Sequence, residues 1–462
     1  MMLRNRLPLR LSATLCLSLL LWALSSCASY APEPVDLQQH AREFSQRLSG
    51  DKLSEFAAQL RQDVDGSAPF DAADGVSLAE ARLIALVFHP DLRAARLQAG
   101  VAAATAAHAG TWQDPDLAVD FTRILEDVTY PWLTNSLLSL NLPLTGRPGL
   151  EQQVASGVHA EMLTRVRVAE AEVLDELDGA WSDWSAAALR TAQLQATVEG
   201  LRQLEAIADE LAGAGELTQI TARLYELERL THELEWSEQL AIATEKLARV
   251  ERVLGLPPQA ELTLLPQTHI ALRAPDPEER QRLLAEGPRV AVQLREHETA
   301  ERNLELEVRK QWPEPLLLGG FQEEDGQPRV TFGFAMRLPL WNRNKGPIAT
   351  ARAERALAAE LVRGAYERAI QDLDALAIRR DAALAQRERI ETELLPLVER
   401  QIQDSSRFTE PGGLELWLDA LLRADDARAT ALAAATAEAA ATAAVNRLFW
   451  PRLSTTTREK LP

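Results

Sequence analysis

The chain has only two cysteines, Cys16 and Cys27, in 462 residues, too few for a disulfide framework. Its seven histidines, His40, His89, His108, His159, His232, His269 and His297, are scattered without ligand spacing, so no metal site is expected. There is no glycine-rich phosphate loop and no nucleophile elbow; no enzyme and no cofactor are expected. The charge is lopsided, 49 basic against 68 acidic residues for a net of −19, which excludes nonspecific nucleic-acid binding. Beyond residue 26 no apolar run is long enough for a transmembrane helix.

What is present begins with Arg4, Arg6 and Arg10 ahead of an apolar run from Leu11 to Leu24, which has signal-peptide length and composition. The run ends in Leu24-Ser25-Ser26-Cys27, which resembles a bacterial lipobox. Cys16 would leave with residues 1–26, and Cys27 would remain as the only thiol, explained if it is acylated. Each buried methylene adds roughly 0.8 kcal/mol of membrane affinity, so several acyl chains anchor firmly. Ala28 rather than Asp follows Cys27, which favours the outer membrane by resemblance to sorted lipoproteins.

The rest of the chain says one thing twice. Trp112-Gln113-Asp114-Pro115 runs to Phe121, and Trp312-Pro313-Glu314-Pro315 runs to Phe321 in the same register. Leu142-Pro143-Leu144 answers Leu338-Pro339-Leu340, and Gly215 answers Gly412. Such duplication marks a unit that buries its apolar face on copies of itself. Between these markers the period is two. Leu117, Val119, Phe121 and Leu125 fall on one face, with Arg123 the exception, and Leu138, Leu140, Leu142 and Leu144 follow. Val330, Phe332, Phe334, Met336 and Leu338 alternate with Thr331, Gly333, Ala335 and Arg337. Loops are expected at 127–132 and 323–328. A soluble sheet would alternate in the same way. If these strands enter a membrane, four of them cannot close a barrel, and open edges cannot face lipid, so several chains must share one.

Ser77 and Glu80 have capping-box spacing at the head of a helix running toward Trp112, with Pro90 a local break. Each strand pair is followed by a glycine and proline turn that opens a helix of about 60 residues, 150–211 and 348–408, on the order of 90 Å long. Pro396 should interrupt the second. Each is expected to end in a glycine turn, Gly213-Ala214-Gly215 and Pro411-Gly412-Gly413, and to return as a helix over 217–254 and 414–449. A further helix is expected over 280–311. The segments are then a signal (1–26), an N-terminal arm (27–76), a first repeat (77–255), an equatorial linker (256–280), a second repeat (281–450) and a tail (451–462).

In this order and duplication the chain resembles the TolC-like outer-membrane factors, from Ser77 to Trp450. The segments that carry the likeness are Ser77 to Ala81, His89-Pro90-Asp91-Leu92 with Arg93 to Arg96, and Leu338 through Gly346 with Ala349, Ala351 and Ala353. The wording from Trp341 to Gly346 is similar to the heavy-metal branch, of the cobalt-zinc-cadmium or copper-silver type. The resemblance implies a mainly α fold with a membrane β part and an internal twofold repeat. Four strands per chain would enter a shared, trimeric twelve-stranded β-barrel, continued by a long α-helical periplasmic tube. It implies a passive exit duct, partnered by a periplasmic adaptor and an inner-membrane pump of the resistance-nodulation-division type. Gly215, Leu217, Gly412, Gly413 and Leu414 would then be adaptor-docking tips, and Arg407 and Asp419 gate residues, with Asp425 and Asp426 weaker candidates. The first-copy turn Thr145-Gly146-Arg147 departs from the fuller Asn-Arg-Asn wording. A type I secretion duct and a lipid-anchored coiled-coil scaffold without a pore are the rival readings.

Overall fold

The structure is a computed structural model that describes residues 29–47 and 75–449, apart from 259, 261, 273, 274, 325, 326 and 409. The signal peptide, Cys27, most of the arm and the tail 451–462 lie outside the described residues. Two compact units divide at Arg47 and Leu48, inside the expected arm. The first contains α1 (Leu37–Ser45), started by Asp36, whose carboxylate accepts the Gln38 and Gln39 amides at 2.9 and 3.0 Å.

The second unit opens with α2 (Leu78–Phe88), and the capping box is formed. Ser77 N–H donates to Glu80 Oε2 at 2.9 Å, and Glu80 N–H donates to Ser77 Oγ at 3.4 Å. Pro90 starts α3 (Pro90–His108) and pushes His89 into extended backbone, ψ 127°, which separates the two helices.

Strands β1 (Asp116–Arg123) and β2 (Trp132–Asn141) follow, then α4 (Arg147–Ala214), 68 residues, and α5 (Gln219–Val253). At 1.5 Å per residue α4 is about 100 Å long. The same order then recurs: α6 (Pro277–Ala285), α7 (Pro288–Arg309), β3 (Pro315–Glu324), β4 (Gln327–Met336), α8 (Lys345–Arg389), α9 (Leu395–Ser405) and α10 (Pro411–Leu448). The expected helix over 280–311 is therefore two, because Gly287-Pro288 interrupts the amide ladder. Pro396 acts as anticipated: residues Ile390–Leu394 just before it form a π-helical turn, in which Leu395 N–H bonds back to Ile390 C=O.

The strands pair antiparallel in the order β1-β2-β3-β4, so one sheet is shared by both halves of the chain. They end earlier than alternation suggests. Leu142 N–H still donates to Pro315 O at 3.0 Å, and Pro143, with no N–H, carries the ladder no further; Leu144 and Leu338 lie beyond the last paired residues. The first hairpin loop stops before Trp132, which is already in β2. The second hairpin is tighter than 323–328, with Glu323 opposite Pro328 and Glu324 opposite Gln327.

The largest core lies where α2, the middle of α4, the end of α5 and the linker meet. Trp181 is fully buried and meets Trp184 edge-on at 5.3 Å. Arg82 bonds both oxygens of Asp178 at 2.9 and 2.7 Å at its margin. The linker is laced into this core: Val76 N–H donates to Thr263 O at 2.8 Å, Leu265 N–H to Val76 O at 3.0 Å, and Gln267 N–H to Ser185 Oγ at 3.1 Å.

Candidate functional site

Register decides which side chains share a face of the sheet, because directly opposed residues point the same way. Val119 faces Ser136, Ser136 faces Phe321, and Phe321 faces Val330. That row and those two residues away carry Leu117, Phe121, Leu138, Leu317, Phe332, Phe334 and Met336, all exposed, Phe332 to 83%. The opposite face carries Asp116, Asp120, Asn135, Asn141, Gln322 and Thr331. The sheet is thus two-sided: one greasy face open to the surroundings and one mixed face, where Leu133, Leu137, Leu316 and Leu318 sit among the polar residues. Both edges, on β1 and β4, lack a strand neighbour among the described residues.

Arg123, the exception on the apolar face, has a partner there. It stands opposite Trp132, and its guanidinium lies 5.7 Å over the indole centroid. Such a cation–π contact contributes roughly 0.5–1 kcal/mol when exposed. Trp112, Trp312 and Trp341 are all exposed near the other end of the strands.

At the far end of the helices the two turns differ. Gly215 closes α4 with φ +80°, the left-handed conformation that suits glycine. Its N–H reaches Ala212 O at 3.2 Å, Glu216 N–H reaches Leu211 O at 2.9 Å, and Thr218 then caps α5. The second turn is not a glycine turn. α9 stops at Ser405, and Pro411-Gly412-Gly413 forms the first turn of α10, where proline suits the first helical position. Gly412 faces open space, whereas Gly413 is buried: a Cβ there would sit 2.5 Å from Phe408 Cβ and closer still to its carbonyl oxygen. Gly215 and Gly412 are therefore not equivalents. Close approach, not backbone freedom, explains Gly413, whereas Gly412 faces open space.

Leu414 is fully buried in a core with Leu201, Leu204, Tyr225 and Trp417, and Leu217 is half-buried against it. The exposed apolar residues at this end are instead Ile220, Leu224 and Leu227 on α5, with Phe408 and Leu416. Their four-three spacing is the one signal by which sequence could have selected them.

Arg407 and Asp419 are exposed and do not meet. Arg407 lies 3.5 Å from Asp404, and Asp419 accepts from Arg423 Nε at 2.6 Å, a bond that raises the Arg423 pKa. Asp426 is exposed. Asp425 is the exception among the expected acids. It is buried on α10, held by Arg190 on α4 at 2.9 and 2.5 Å, and bonded by Thr197 Oγ1 at 2.9 Å. Its position four residues after Leu421, in line with Leu414 and Trp417, is the clue sequence offered: an acid on an apolar stripe needs a buried partner.

Where the sheet meets the helices, a cavity of about 460 Å³ is lined by Asn141, Arg147, Lys310, Trp312, Glu314, Leu316, Ala335, Met336 and Arg337. Arg147 Nε donates to Glu151 at 2.7 Å and its Nη1 lies 3.6 Å from Glu314; the Glu151 bond is the main cause of its raised pKa. Among the described residues no group of three or more His, Cys, Asp or Glu could hold a metal ion, and no helix is long and apolar enough to cross a membrane.

No protein-family model and no curated protein matches the chain. Solved structures do. CusC, described through folding and transmembrane channel formation, is 14% identical over 80% of this chain and 91% of that chain, with a TM-score of 0.67. The Campylobacter jejuni CmeC outer-membrane channel is 12% identical over 92% and 93%, TM-score 0.66. The open state of the Neisseria gonorrhoeae MtrE outer-membrane channel is 16% identical over 84% and 94%, TM-score 0.61. The chain has the fold of these channels.

Proposed function

We propose that this chain is the outer-membrane channel of a tripartite efflux system, a passive exit duct. The observation that carries this reading is the two-sided sheet with two open edges, joined to long helices, of which α4 alone spans about 100 Å. Exposed aromatic and aliphatic side chains on one whole face suit lipid, and an unpaired strand edge in lipid costs several kcal/mol per group. Pairing the β1 edge of one chain with the β4 edge of the next removes that cost. Three chains give the twelve-stranded barrel, and each chain contributes two passes of the same path, its internal repeat. The helices continue the barrel as a periplasmic tube.

In this reading Cys27 carries the lipid anchor in the outer membrane of a Gram-negative bacterium. The helix ends around Gly215, Leu217, Gly412, Gly413 and Leu414 meet a periplasmic adaptor, with the exposed Ile220, Leu224 and Leu227 supplying its contact. Arg407 and Asp419 serve the closed state through pairs between neighbouring chains. An inner-membrane pump, of the resistance-nodulation-division type, supplies cargo. Heavy-metal cations as cargo rest on the wording from Trp341 to Gly346 alone.

The test is insertion of purified protein into planar bilayers, together with cross-linking of outer-membrane fractions. Discrete single-channel conductance and a three-chain species are expected. A protein confined to the periplasm and silent in bilayers overturns the reading.

A further inference from the structure

The two free edges of the sheet carry opposite charge on the same face. β1 holds Asp116 and Asp120 on the mixed face, both exposed and neither in an ion pair among the described residues. Arg123, the cation of that strand, belongs to the other face, beside Trp132. On the mixed face β2 carries no charge and β3 carries only Glu324, which accepts from Arg329 of β4 at 2.5 Å. Arg337 follows the last residue of β4, is exposed, and forms no ion pair among the described residues. It lies beside Asn141, Leu316 and Ala335, one row of the mixed face, so it belongs to that face.

A free edge invites another strand, and these charges decide which edge it takes. Two β1 edges pairing antiparallel about Ala118 would set Asp116 against Asp120, twice. Two β4 edges pairing about Gly333 would set Arg329 against Arg337. Like charges directly opposite destabilise a strand pair. A β1 edge against a β4 edge does the reverse. Within one chain the row through Asp116 ends on Gly333, and Arg337 lies further along the same face. Barrel strands tilt and their rows stagger; a stagger of about four residues sets all of β1 against residues 330–337, with Asp116 opposite Arg337. Because that stagger is even, it also keeps the aromatic side chains of both chains on one face. We propose that Asp116 of one chain pairs with Arg337 of a second copy. Each free edge is then covered by the opposite edge of the next chain, and the seams close head to tail into a ring instead of back to back into a dimer. The proposal rests on the conduit reading and adds to it the residues that select the partner edge.

The experiment measures the three-chain species of full-length variants by cross-linking in outer-membrane fractions, with single-channel conductance recorded on the same preparations. Asp116→Arg and Arg337→Asp, each alone, should cut the assembled species about tenfold, because a like-charge pair then recurs at every seam of the ring. The swapped chain, Asp116→Arg with Arg337→Asp, should return to within about twofold of wild type, since the pair is restored with its signs exchanged. Single variants that assemble as well as wild type, or a swapped chain that assembles no better than the single variants, overturn the seam pair and leave the conduit standing where wild type conducts. A wild-type protein that neither assembles nor conducts overturns the conduit and the seam together.

Discussion

The Arg190 guanidinium grips both carboxylate oxygens of Asp425, at 2.9 and 2.5 Å, across 235 residues of sequence. The pair is largely buried and ties α4 to α10 just beyond the core built on Leu201, Leu204 and Leu414. Removing one partner strands the other charge away from water. Asp425→Ala should therefore cost about 3–5 kcal/mol in denaturant unfolding of the helical signal. Arg407→Ala, at an exposed pair, should leave the midpoint unchanged. Equal effects of the two would mean that the Arg190 pair is not holding the helices together.

The two helix turns should respond differently to the same substitution. Gly215→Ala forces a side chain into left-handed backbone and should cost about 1–2 kcal/mol. Gly412→Ala, helical and facing open space, should be neutral or stabilise by about 0.4–1 kcal/mol. Gly413→Ala drives a methyl into Phe408 and should be the most damaging of the three. Thermal unfolding of the three variants, ranked against wild type, checks the order.

The sheet faces make opposite demands. Phe332→Arg on the apolar face should destabilise the membrane form by about 2–4 kcal/mol, the cost of a cation near the bilayer midplane. Thr331→Arg, one residue away on the polar face, should assemble normally. Yield of assembled protein from outer-membrane fractions separates them, and equal yields would argue against lipid on the Phe332 side.

His89 supplies a pH dependence. Burial is the main cause that lowers its pKa below the ordinary 6.5; Asp91 and Glu176 oppose the shift and Arg93 adds to it. The neutral ring accepts the Asp91 amide through Nδ1 at 3.3 Å. Because the unfolded chain binds the proton more readily, the contribution to stability is fully present above about 6.5. It declines as pH falls through that value and levels off below the lowered folded-state pKa. Unfolding midpoints between pH 8 and 5 should show this slope, and His89→Asn should flatten it.

Cys27→Ala should abolish incorporation of radiolabelled palmitate while the assembled species persists, because in the proposed conduit the strands give a second hold on the membrane. Label entering the variant at wild-type level would remove Cys27 as the anchor.

Much of this was legible in one dimension. Ser77 with Glu80, the break at Pro90, the interruption at Pro396 and the left-handed Gly215 depend on neighbours within a few residues. The strand faces were legible because a side-chain period of two survives any pairing partner. Strand ends were not, since alternation ran on through Leu144 and Leu338 while the hydrogen-bonded ladder stopped at Leu142 and Met336. Gly412 misled for a related reason: a glycine near a helix end signals a left-handed cap or a close contact equally well, and only the place of Phe408 tells them apart.

Periodicity, capping and proline placement thus determined by themselves that this chain alternates long helices with two-faced strand pairs, because those preferences are written in local sterics and backbone hydrogen bonding. Tertiary structure alone decided that Asp425 meets Arg190 across 235 residues, that Leu414 joins the core of α4 and α5, and that Gly413 is pressed against Phe408. Those outcomes turn on burial and on charges that meet across hundreds of residues, and neither exists until the helices have packed.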